Sequence, residues 1–464
     1  MASVILDEDV VPIRNPDGTR APLATLFWGD ELEVLGEQGD NRVVALPRRK
    51  WDAQAGHYVD TIVQGWLPKR VKLRTSRLLK IRFLDVGQGD AAMLETPSGK
   101  FVLIDGGEED DLRHYVNVAF AHLMKTAPLS IDAIVITHGD ADHFAGLTKL
   151  AKAKRNGQSD PMISVERIYH NGLVKGPSNL PEAQMFGPTV SQGGKLFITG
   201  LRDDIRTVPA SELNAPFKTW QTAASGLKNR AGGSPQMRRT SYGDANALDF
   251  LAADGIATQV LGPIIETVNG QPALPFLHKP GTHSNSASHT INGHSVVLRF
   301  SYGNVRLLFG ADLNEESENS LVTRARNDGK TLASEILKVP HHGSADFSPS
   351  MFEAVRPVVS VISSGDENPT KEYIHPRAGL VGALGKFSRE SVERPLIYVT
   401  EMVAFFERIQ VPDVVNAYRK RAFGIVHVRT DGERVMVATH SGKEDMKESY
   451  AFRVAADGGI TFES

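Results

Sequence analysis

THGDADHFAG, residues 137–146, places two histidines and two aspartates within six consecutive positions, from His138 to His143. The apolar run before it, IDAIVIT, predicts a buried strand that ends in this loop, and AGLTKLAKAK predicts a helix after it. Imidazole nitrogens and carboxylate oxygens are ligands for zinc, manganese and iron. Because neighbouring carboxylates repel each other unless a cation lies between them, the loop indicates a metal site. The alternative interpretation is a solvated polar loop.

The composition limits the ligands and partners that are available. The chain has 464 residues, 41% hydrophobic and 23% charged, which is typical of a soluble globular protein with two or three domains. It has no cysteine, so any metal must be bound by His, Asp or Glu. The formal net charge of −3 argues against a protein that coats duplex DNA, although it does not exclude a local basic groove. MASVILDEDVV lacks the features of a signal peptide, and no apolar run approaches about 18 residues, so we expect a cytoplasmic protein without a membrane span.

More polar residues follow apolar runs elsewhere in the chain. Asp105 ends FVLID, Asp312 lies in LLFGADL, His341 and His342 follow LKVP, and His375 lies in EYIHP. In layered α/β folds, functional sites assemble where strands end and loops begin. A single histidine after a strand is more often structural, but the combination indicates one site assembled from distant parts of the chain.

Two regions differ in their pattern. Residues 1–75 predict short strands with turns between them, which resemble a small β-barrel of the bacterial Src-homology-3-like type; a β-extension of the main domain is the alternative. Residues 76–464 alternate strands and helices, which indicates an α/β domain. Within it, residues from about 171 to 290 are rich in Gly, Pro, Ser and Asn. We expect a long insertion there with some helix, such as APFKTWQTAASGL.

From about residue 79 to 440 the chain resembles the metallo-β-lactamase fold, specifically its ComEC-type competence-protein branch. The motifs that carry the resemblance are FLDVGQGDA, VLIDGG, THGDADHFAGL, GHSVVLRFSYGNVRLLFGADL, KVPHHGS and a later HP. The resemblance implies an α/β sandwich of two β-sheets with helices on both outer faces, and two metal ions at one edge. Asp140 stands where the broader superfamily has a second histidine, and this substitution is typical of the ComEC-type branch.

The same resemblance implies a role for each polar residue near the loop. The first ion would be bound by His138 and Asp140, the second by Asp142 and His143, and both by a bridging Asp312, with one of His341 and His342 completing a shell and Asp105 accepting hydrogen bonds behind the loop. A further histidine that the superfamily supplies has no counterpart, because Gly262 in VLGPI stands at the nearest matching point. One ion rather than two is therefore an alternative.

The expected chemistry follows from these roles. Two divalent ions (Zn or Mn) would acidify a shared water, and the resulting hydroxide would attack phosphorus or a carbonyl carbon. Asp142 would accept a proton from that water. His375 would contact the substrate oxyanion, with a structural role as the alternative. Because Asp140 makes the ligand set richer in oxygen, we expect manganese to support activity at least as well as zinc. The glycine loop VGQGD, residues 86–90, fits a tight turn better than a phosphate-binding loop, since it lacks Gly-Lys-Ser/Thr.

The leading hypothesis for function is a metal-dependent phosphodiesterase or nuclease that acts on a nucleic acid or nucleotide. Besides the resemblance, it rests on basic runs at 68–74, 149–155 and 238–239, each of which could equally be a solvated face. The alternatives are a hydrolase of a small ester, thioester or lactam, and a degenerate module that only binds or scaffolds. The N-terminal region is expected to bind a protein partner or to support the main domain, and no membrane partner is expected.

Overall fold

The structure is a computed structural model that describes residues 2–52, 54, 56–279, 281–365, 375–389, 395–403, 405–411, 414–422, 424–439 and 449–463. Its N-terminal unit is all-β and has seven strands: β1 Ala2–Leu6, β2 Val10–Ile13, β3 Ala24–Phe27, β4 Glu31–Gln38, β5 Asn41–Asp52, β6 His57–Pro68 and β7 Leu73–Arg74. Five of them form a sheet in the order β6-β5-β4-β1-β7, and β2 and β3 form a hairpin. The unit has its own apolar core around Leu6, Ile13 and Leu67. Its likeness to a Src-homology-3 domain stays a prediction.

The main unit begins at Leu79, and its first part alternates strands with helices as predicted. The elements are β8 Leu79–Leu84, β9 Ala91–Glu95, β10 Phe101–Asp105, α1 Asp111–Ala119, β11 Leu129–Ile131, β12 Ala133–Val135, α2 Ala141–Lys152, β13 Ile163–Val165 and β14 Arg167–His170. The metal loop therefore lies between β12 and α2, where the sequence predicts a strand followed by a helix.

The middle part contains β15 Thr189–Gln192, β16 Lys195–Ile198, α3 Ala215–Gly226, β17 Gln236–Arg239, β18 Ile256–Gly262, β19 Glu266–Val268, β20 Gln271–Pro275 and α4 Ala287–Gly293. The helix expected at APFKTWQTAASGL is α3. In contrast, the interval from 171 to 290 is not a single insertion, because β17 and β18 are edge strands of the two main sheets. Only β15, β16, β19 and β20 form a separate small sheet.

The last part contains β21 Val297–Tyr302, β22 Val305–Phe309, α5 Glu315–Asn327, β23 Ile336–Lys338, α6 Pro349–Val355, β24 Val359–Ile362, α7 Ala378–Phe387, β25 Leu396–Val399, β26 Phe405–Val411, β27 Val414–Ala422, β28 Ile425–Thr430, β29 Arg434–Thr439, β30 Ser449–Val454 and β31 Ile460–Phe462. Short 3₁₀ helices lie at Ala121–Leu123, Glu182–Gln184, Ile205–Thr207, Ala210–Glu212, Asp249–Asp254, Pro340–Gly343 and Glu401–Val403. Among the helices that the structure describes, none has the length and apolarity required to cross a membrane.

The main unit is a four-layer sandwich. A ten-stranded sheet (β17-β14-β12-β10-β9-β8-β28-β29-β30-β31) faces a six-stranded sheet (β18-β21-β22-β23-β24-β25). Their inner faces share one apolar core, in which the rings of Phe83 and Phe309 stack at 5.6 Å. Helices α1 to α3 cover the outer face of the larger sheet, and α5 to α7 cover that of the smaller one. The predicted αββα sandwich is therefore confirmed.

The N-terminal unit covers the part of the larger sheet that the helices leave open. Phe27 and Trp28 pack against Leu78, Met436 and Ala438, and all five residues are buried. Arg429, on β28, bonds to the Trp28 carbonyl oxygen at 2.6 Å and pairs with Asp30 at 2.9 Å. The unit is thus joined to the sandwich by an apolar contact and a buried ion pair.

The sandwich brings the polar strand ends together. Strands β10 and β12 are parallel neighbours in the larger sheet, and β22 and β23 are parallel neighbours in the smaller one. Because parallel strands end at the same edge, Asp105, His138, Asp312 and His342 all lie at one edge of the sandwich.

Candidate metal centre

The carboxylate of Asp312 is the centre of the cluster. Its Oδ2 atom lies 3.1 Å from Nε2 of His342, 3.3 Å from Nε2 of His143 and 3.9 Å from Nε2 of His138. Asp312 is 3% exposed and the three histidines are buried as well. One carboxylate thus faces three imidazoles, two from the metal loop and the start of α2 and one from the segment after β23.

Among the described residues, four overlapping groups of side chains could hold an ion, and two of them do not involve Asp90. His138, His143 and Asp312 form the first group, and Asp142, His143 and His342 form the second. In the second group, Oδ2 of Asp142 lies 3.5 Å from Nε2 of His342 and 4.0 Å from Nε2 of His143.

The unsatisfied atoms of the cluster fit a cation. Nε2 of His138, His143 and His342 and Oδ1 of Asp312 are buried, and none of them makes a hydrogen bond of good geometry within the described residues. Buried polar atoms without such bonds are costly, and here the three Nε2 atoms all lie within 3.9 Å of the Asp312 carboxylate. The residues present therefore fit a divalent metal ion.

Burial and charge act against each other in this cluster. Burial raises the pKa of Asp312, but the imidazoles of His342 and His143 outweigh it, so the pKa lies well below its usual range. Burial lowers the pKa of His143, yet the carboxylates of Asp312 and Asp105 more than offset this, and the pKa is raised well above its usual value. The pKa of His342 is raised in the same way, whereas burial lowers the pKa of His138 well below its usual value. Without an ion, His143 and His342 therefore carry protons that a metal would displace, and His138 is neutral.

The structure separates the two adjacent histidines. Nδ1 of His342 is 3.0 Å from the carbonyl oxygen of Ser363 and 3.4 Å from Oδ1 of Asp90, which turns Nε2 toward Asp312. His341 instead places Nε2 3.2 Å from Nδ2 of Asn292 and belongs to none of the ligand groups among the described residues. His342 is therefore the histidine of this pair that faces the centre.

Asp105 lies behind the metal loop and accepts three hydrogen bonds. Thr137 donates its backbone N–H to Oδ1 at 2.8 Å and its hydroxyl to Oδ2 at 2.6 Å, and Nδ1 of His143 bonds to Oδ2 at 2.8 Å. Because a carboxylate can only accept, Nδ1 of His143 must donate, which leaves Nε2 as the ring nitrogen that faces the cluster and that would bind a metal once its proton is displaced.

Asp140 has a partner that the sequence does not reveal. Its Oδ1 atom pairs with the ammonium of Lys175, and its Oδ2 atom lies 3.9 Å from Nε2 of His138. Asp140 is absent from the ligand groups that the described residues form, although the resemblance implies that it binds the first ion. Lys175 lies in the irregular stretch after β14, where no motif marks it.

Gly262 does not lie where a ligand would enter the cluster. A Cβ atom at Gly262 would meet the carbonyl oxygen of Ser295 at 2.8 Å and the side chain of Val297. The polar group that reaches His138 from this direction is the Ser295 hydroxyl, 3.3 Å from Nδ1. His170 and His294, two of the unaligned histidines, lie near backbone carbonyl oxygens of Asp203 and Pro275 instead.

A buried ion pair supports His342 from behind. The ammonium of Lys338 pairs with Oδ2 of Asp90, and both side chains are less than a tenth exposed. Asp90 ends VGQGD and Lys338 begins KVPHHGS, so both lie inside quoted motifs, but their pairing across the two sheets has no sequence signal. In the same loop, a Cβ atom at Gly89 would overlap the backbone oxygen of Asp142, which explains the glycine as a close approach to α2.

His375 lies outside the ligand groups. Its ring is 6.4 Å from that of His341, and it is half-buried. Burial, with a smaller effect of His342 and His341, lowers its pKa to about 4. His375 is therefore neutral at pH 7.

Comparisons with known proteins agree with this geometry. The sequence profile of the family described as Metallo-beta-lactamase superfamily matches residues 84–159, which contain Asp105 and the metal loop. Competence protein ComA of Neisseria gonorrhoeae is 42% identical over 86 residues, which are 18% of this chain and 12% of that protein. A solved structure of a CmlA β-hydroxylase mutant is 12% identical, and the match covers 75% of this chain and 54% of that chain at a TM-score of 0.31. The predicted resemblance to ComEC-type proteins is confirmed, while the chain spans only a small part of this relative.

Proposed function

Because residues 84–159 match the sequence profile of the metallo-β-lactamase superfamily, we propose that the protein is a metal-dependent hydrolase of phosphodiester bonds, with a nucleotide or nucleic acid as substrate. The observation that carries this proposal is the position of Asp312, whose carboxylate faces the imidazoles of His342, His143 and His138 within 3.9 Å. A buried cluster of one carboxylate and three imidazoles is typical of a site for a divalent ion and not of an ordinary packed core.

Four residues would hold the ion: Asp142, His143, Asp312 and His342. When bound, the ion would lower the pKa of water and stabilise negative charge on the attacked group. Asp105 orients His143 through the 2.8 Å bond to Nδ1. Asp142, whose side chain is 24% exposed, would accept a proton from the attacking water. The neutral His375 donates a hydrogen bond to the substrate oxyanion at the rim.

Lys175 favours a charged substrate. Its side chain is 20% exposed and its ammonium pairs with Asp140 beside the cluster, so it would offset the repulsion between that carboxylate and an anionic substrate. A phosphodiester carries such a charge on the reacting group itself, whereas the reacting carbonyl of an ester or lactam is neutral. We therefore rank phosphodiester hydrolysis above the other hydrolase classes.

The basic runs do not support a long groove for nucleic acid. Arg155 is buried and pairs with Asp160, Lys149 pairs with Glu109, and Arg238 pairs with Asp244. Because these charges are already paired within the chain, we favour a short substrate or a strand end over a long duplex.

The test is hydrolysis by the manganese-loaded protein of a chromogenic phosphodiester, single-stranded DNA and a chromogenic lactam. We expect phosphodiester cleavage, with manganese at least as effective as zinc, and loss of cleavage in Asp142→Ala. The matched control is Asp110→Ala, because Asp110 pairs with Arg113 outside the cluster. Lactam cleavage alone would support the ester or lactam alternative, and no bound metal at all would support the scaffold alternative.

The remaining expectations are proposals as well. We propose a cytoplasmic location without a membrane partner. We also propose that the N-terminal unit supports the sandwich, because Phe27 and Trp28 are buried against Met436 and Ala438. A protein partner of that unit would have to bind elsewhere on its surface.

A further inference from the structure

We infer that Lys175 takes the place of one metal ion, so that the protein binds a single divalent ion, held by Asp142, His143, Asp312 and His342. This inference rests on the proposed function and concerns the same site. It starts from Asp140, whose Oδ1 atom pairs with the ammonium of Lys175. A carboxylate that already neutralises an ammonium is a weak ligand for a second cation, and two cations on one carboxylate repel each other.

The position of Lys175 is fixed by its backbone. Its carbonyl oxygen accepts a hydrogen bond from the backbone N–H of Asn214 at 2.9 Å, and the next residue, Gly176, donates to the carbonyl oxygen of Met185 at 2.8 Å. Val174, just before it, is buried in the core under α2 and α3. Lys175 therefore projects from an anchored segment, and its side chain is only 20% exposed.

The side of the centre that Lys175 faces is poor in ligands. Oδ2 of Asp140 lies 3.9 Å from Nε2 of His138, and Oδ1 pairs with Lys175. The carboxylate of Asp140 therefore contacts the ammonium of Lys175 with one oxygen and faces the imidazole of His138 with the other. Gly262 adds no side chain on this side, and Ser295 offers only a hydroxyl, which lies 3.3 Å from Nδ1 of His138. His143 and Asp312 are shared with the other side, so an ion here would have His138 as its only ligand of its own unless Asp140 released Lys175.

The other side of the centre is complete. Asp142, His143 and His342 form a group of ligand atoms around one point, and Oδ2 of Asp312 lies within 3.3 Å of Nε2 of both histidines. Four ligands that include two imidazoles and two carboxylates suit manganese or zinc. The centre would thus hold one divalent ion on this side, and the ammonium of Lys175 would supply the positive charge on the other.

The experiment is a count of bound manganese per chain by mass spectrometry after loading and desalting, for the full chain and two variants. We expect one ion in the unmodified chain, two in Lys175→Met, where Asp140 is released, and one in Asp140→Asn. Electron paramagnetic resonance supplies a second readout, because two neighbouring manganese ions are spin-coupled and a single ion is not. Thermal unfolding confirms that each variant is folded, and Lys175→Gln replaces the methionine variant if that is unstable.

Other counts separate the failure of this inference from that of the proposed function. Two ions in the unmodified chain would overturn the inference and leave the hydrolase proposal intact. One ion in both the unmodified chain and the lysine variants would also overturn it, because Lys175 would then not be what excludes the second ion. A decrease to no ion in Asp140→Asn would show that Asp140 is a ligand and would overturn it too. No ion in the unmodified chain would overturn both proposals.

Discussion

Nδ1 of His143 bonds to Oδ2 of Asp105 at 2.8 Å, and the same carboxylate accepts the backbone N–H of Thr137 at 2.8 Å. One buried side chain therefore fixes both the ring of a metal-facing histidine and the start of the metal loop. Asp105 has a positive φ of 58°, a conformation that aspartate tolerates better than most residues. An aspartate at the end of β10 is thus favoured both by the hydrogen bonds that its side chain accepts and by the positive φ of its backbone.

Asp105→Asn is expected to weaken metal binding about 10- to 100-fold, the usual effect of losing a carboxylate that supports a metal-bound histidine. The amide keeps the shape of the carboxyl group but accepts hydrogen bonds more weakly, so His143 is held less firmly. Isothermal titration of the metal-free protein with manganese measures the change. Asp110→Asn serves as the control, since Asp110 pairs with Arg113 away from the cluster. Equal affinities in both variants would exclude the positioning role of Asp105.

His342→Ala and His341→Ala are a matched pair of adjacent substitutions. His342 faces Asp312 at 3.1 Å, so its loss is expected to lower manganese affinity at least 100-fold and to abolish hydrolysis. His341 bonds to Asn292 and lies outside the ligand groups, so His341→Ala is expected to retain the ion. Metal content after dialysis measures both. Loss of the ion in His341→Ala with retention in His342→Ala would reverse the assignment.

The sequence was sufficient to predict that the polar residues at or just after strand ends come together in one centre. His138, His143, Asp105 and Asp312 meet because parallel strands end at one edge, and a motif at each end is visible in the chain. It could not separate His341 from His342, because both have left-handed backbone conformations and only tertiary contacts aim one of them at Asp312.

Pairings between distant residues could not be predicted. Lys338 and Asp90 are 248 positions apart and meet across the sandwich, and Lys175 reaches Asp140 from an irregular stretch. The interval from 171 to 290 was expected to be an insertion because it is rich in Gly, Pro, Ser and Asn. The strand β17, QMRR, has one buried residue in four, so its membership of the large sheet depends on pairing with β14 and not on its own periodicity.

The buried pair of Lys338 and Asp90 is expected to matter most when one partner is removed. Lys338→Met removes the ammonium that pairs with the buried carboxylate of Asp90 and leaves it only the ring of His342 at 3.4 Å, so we expect a cost of up to about 3–5 kcal/mol of unfolding free energy. Urea unfolding of the metal-free protein measures this cost. The double variant Lys338→Met with Asp90→Asn removes both charges and is expected to recover a large part of the loss. Lys149→Met is the control, because the exposed pair with Glu109 contributes about 0–1 kcal/mol.

The carboxylate of Glu95 is expected to give the protein a stability that acid removes. Nη2 of Arg82 lies 2.6 Å from Oε2 of Glu95, and Nζ of Lys80 lies 3.5 Å from Oε1. Burial raises the pKa of Glu95, but the charges of Arg82 and Lys80 more than offset it and lower the pKa from 4.5 to about 2. Because the folded pKa is depressed, the stabilisation is fully present above pH 4.5 and is lost as the pH falls toward 2.

Glu95→Gln is therefore expected to lower the unfolding free energy by up to about 3 kcal/mol at pH 7, and by progressively less below pH 4.5. Urea unfolding of both proteins at pH 7, 5 and 3 measures the difference, with Glu37→Gln as the control. Glu37 forms an exposed pair with Lys69, so water screens it and its substitution should have little effect at each pH. A difference between the Glu95 variant and the unmodified chain that stays constant or grows toward pH 3 would contradict the assignment, because protonation of Glu95 would then not be what removes the stabilisation.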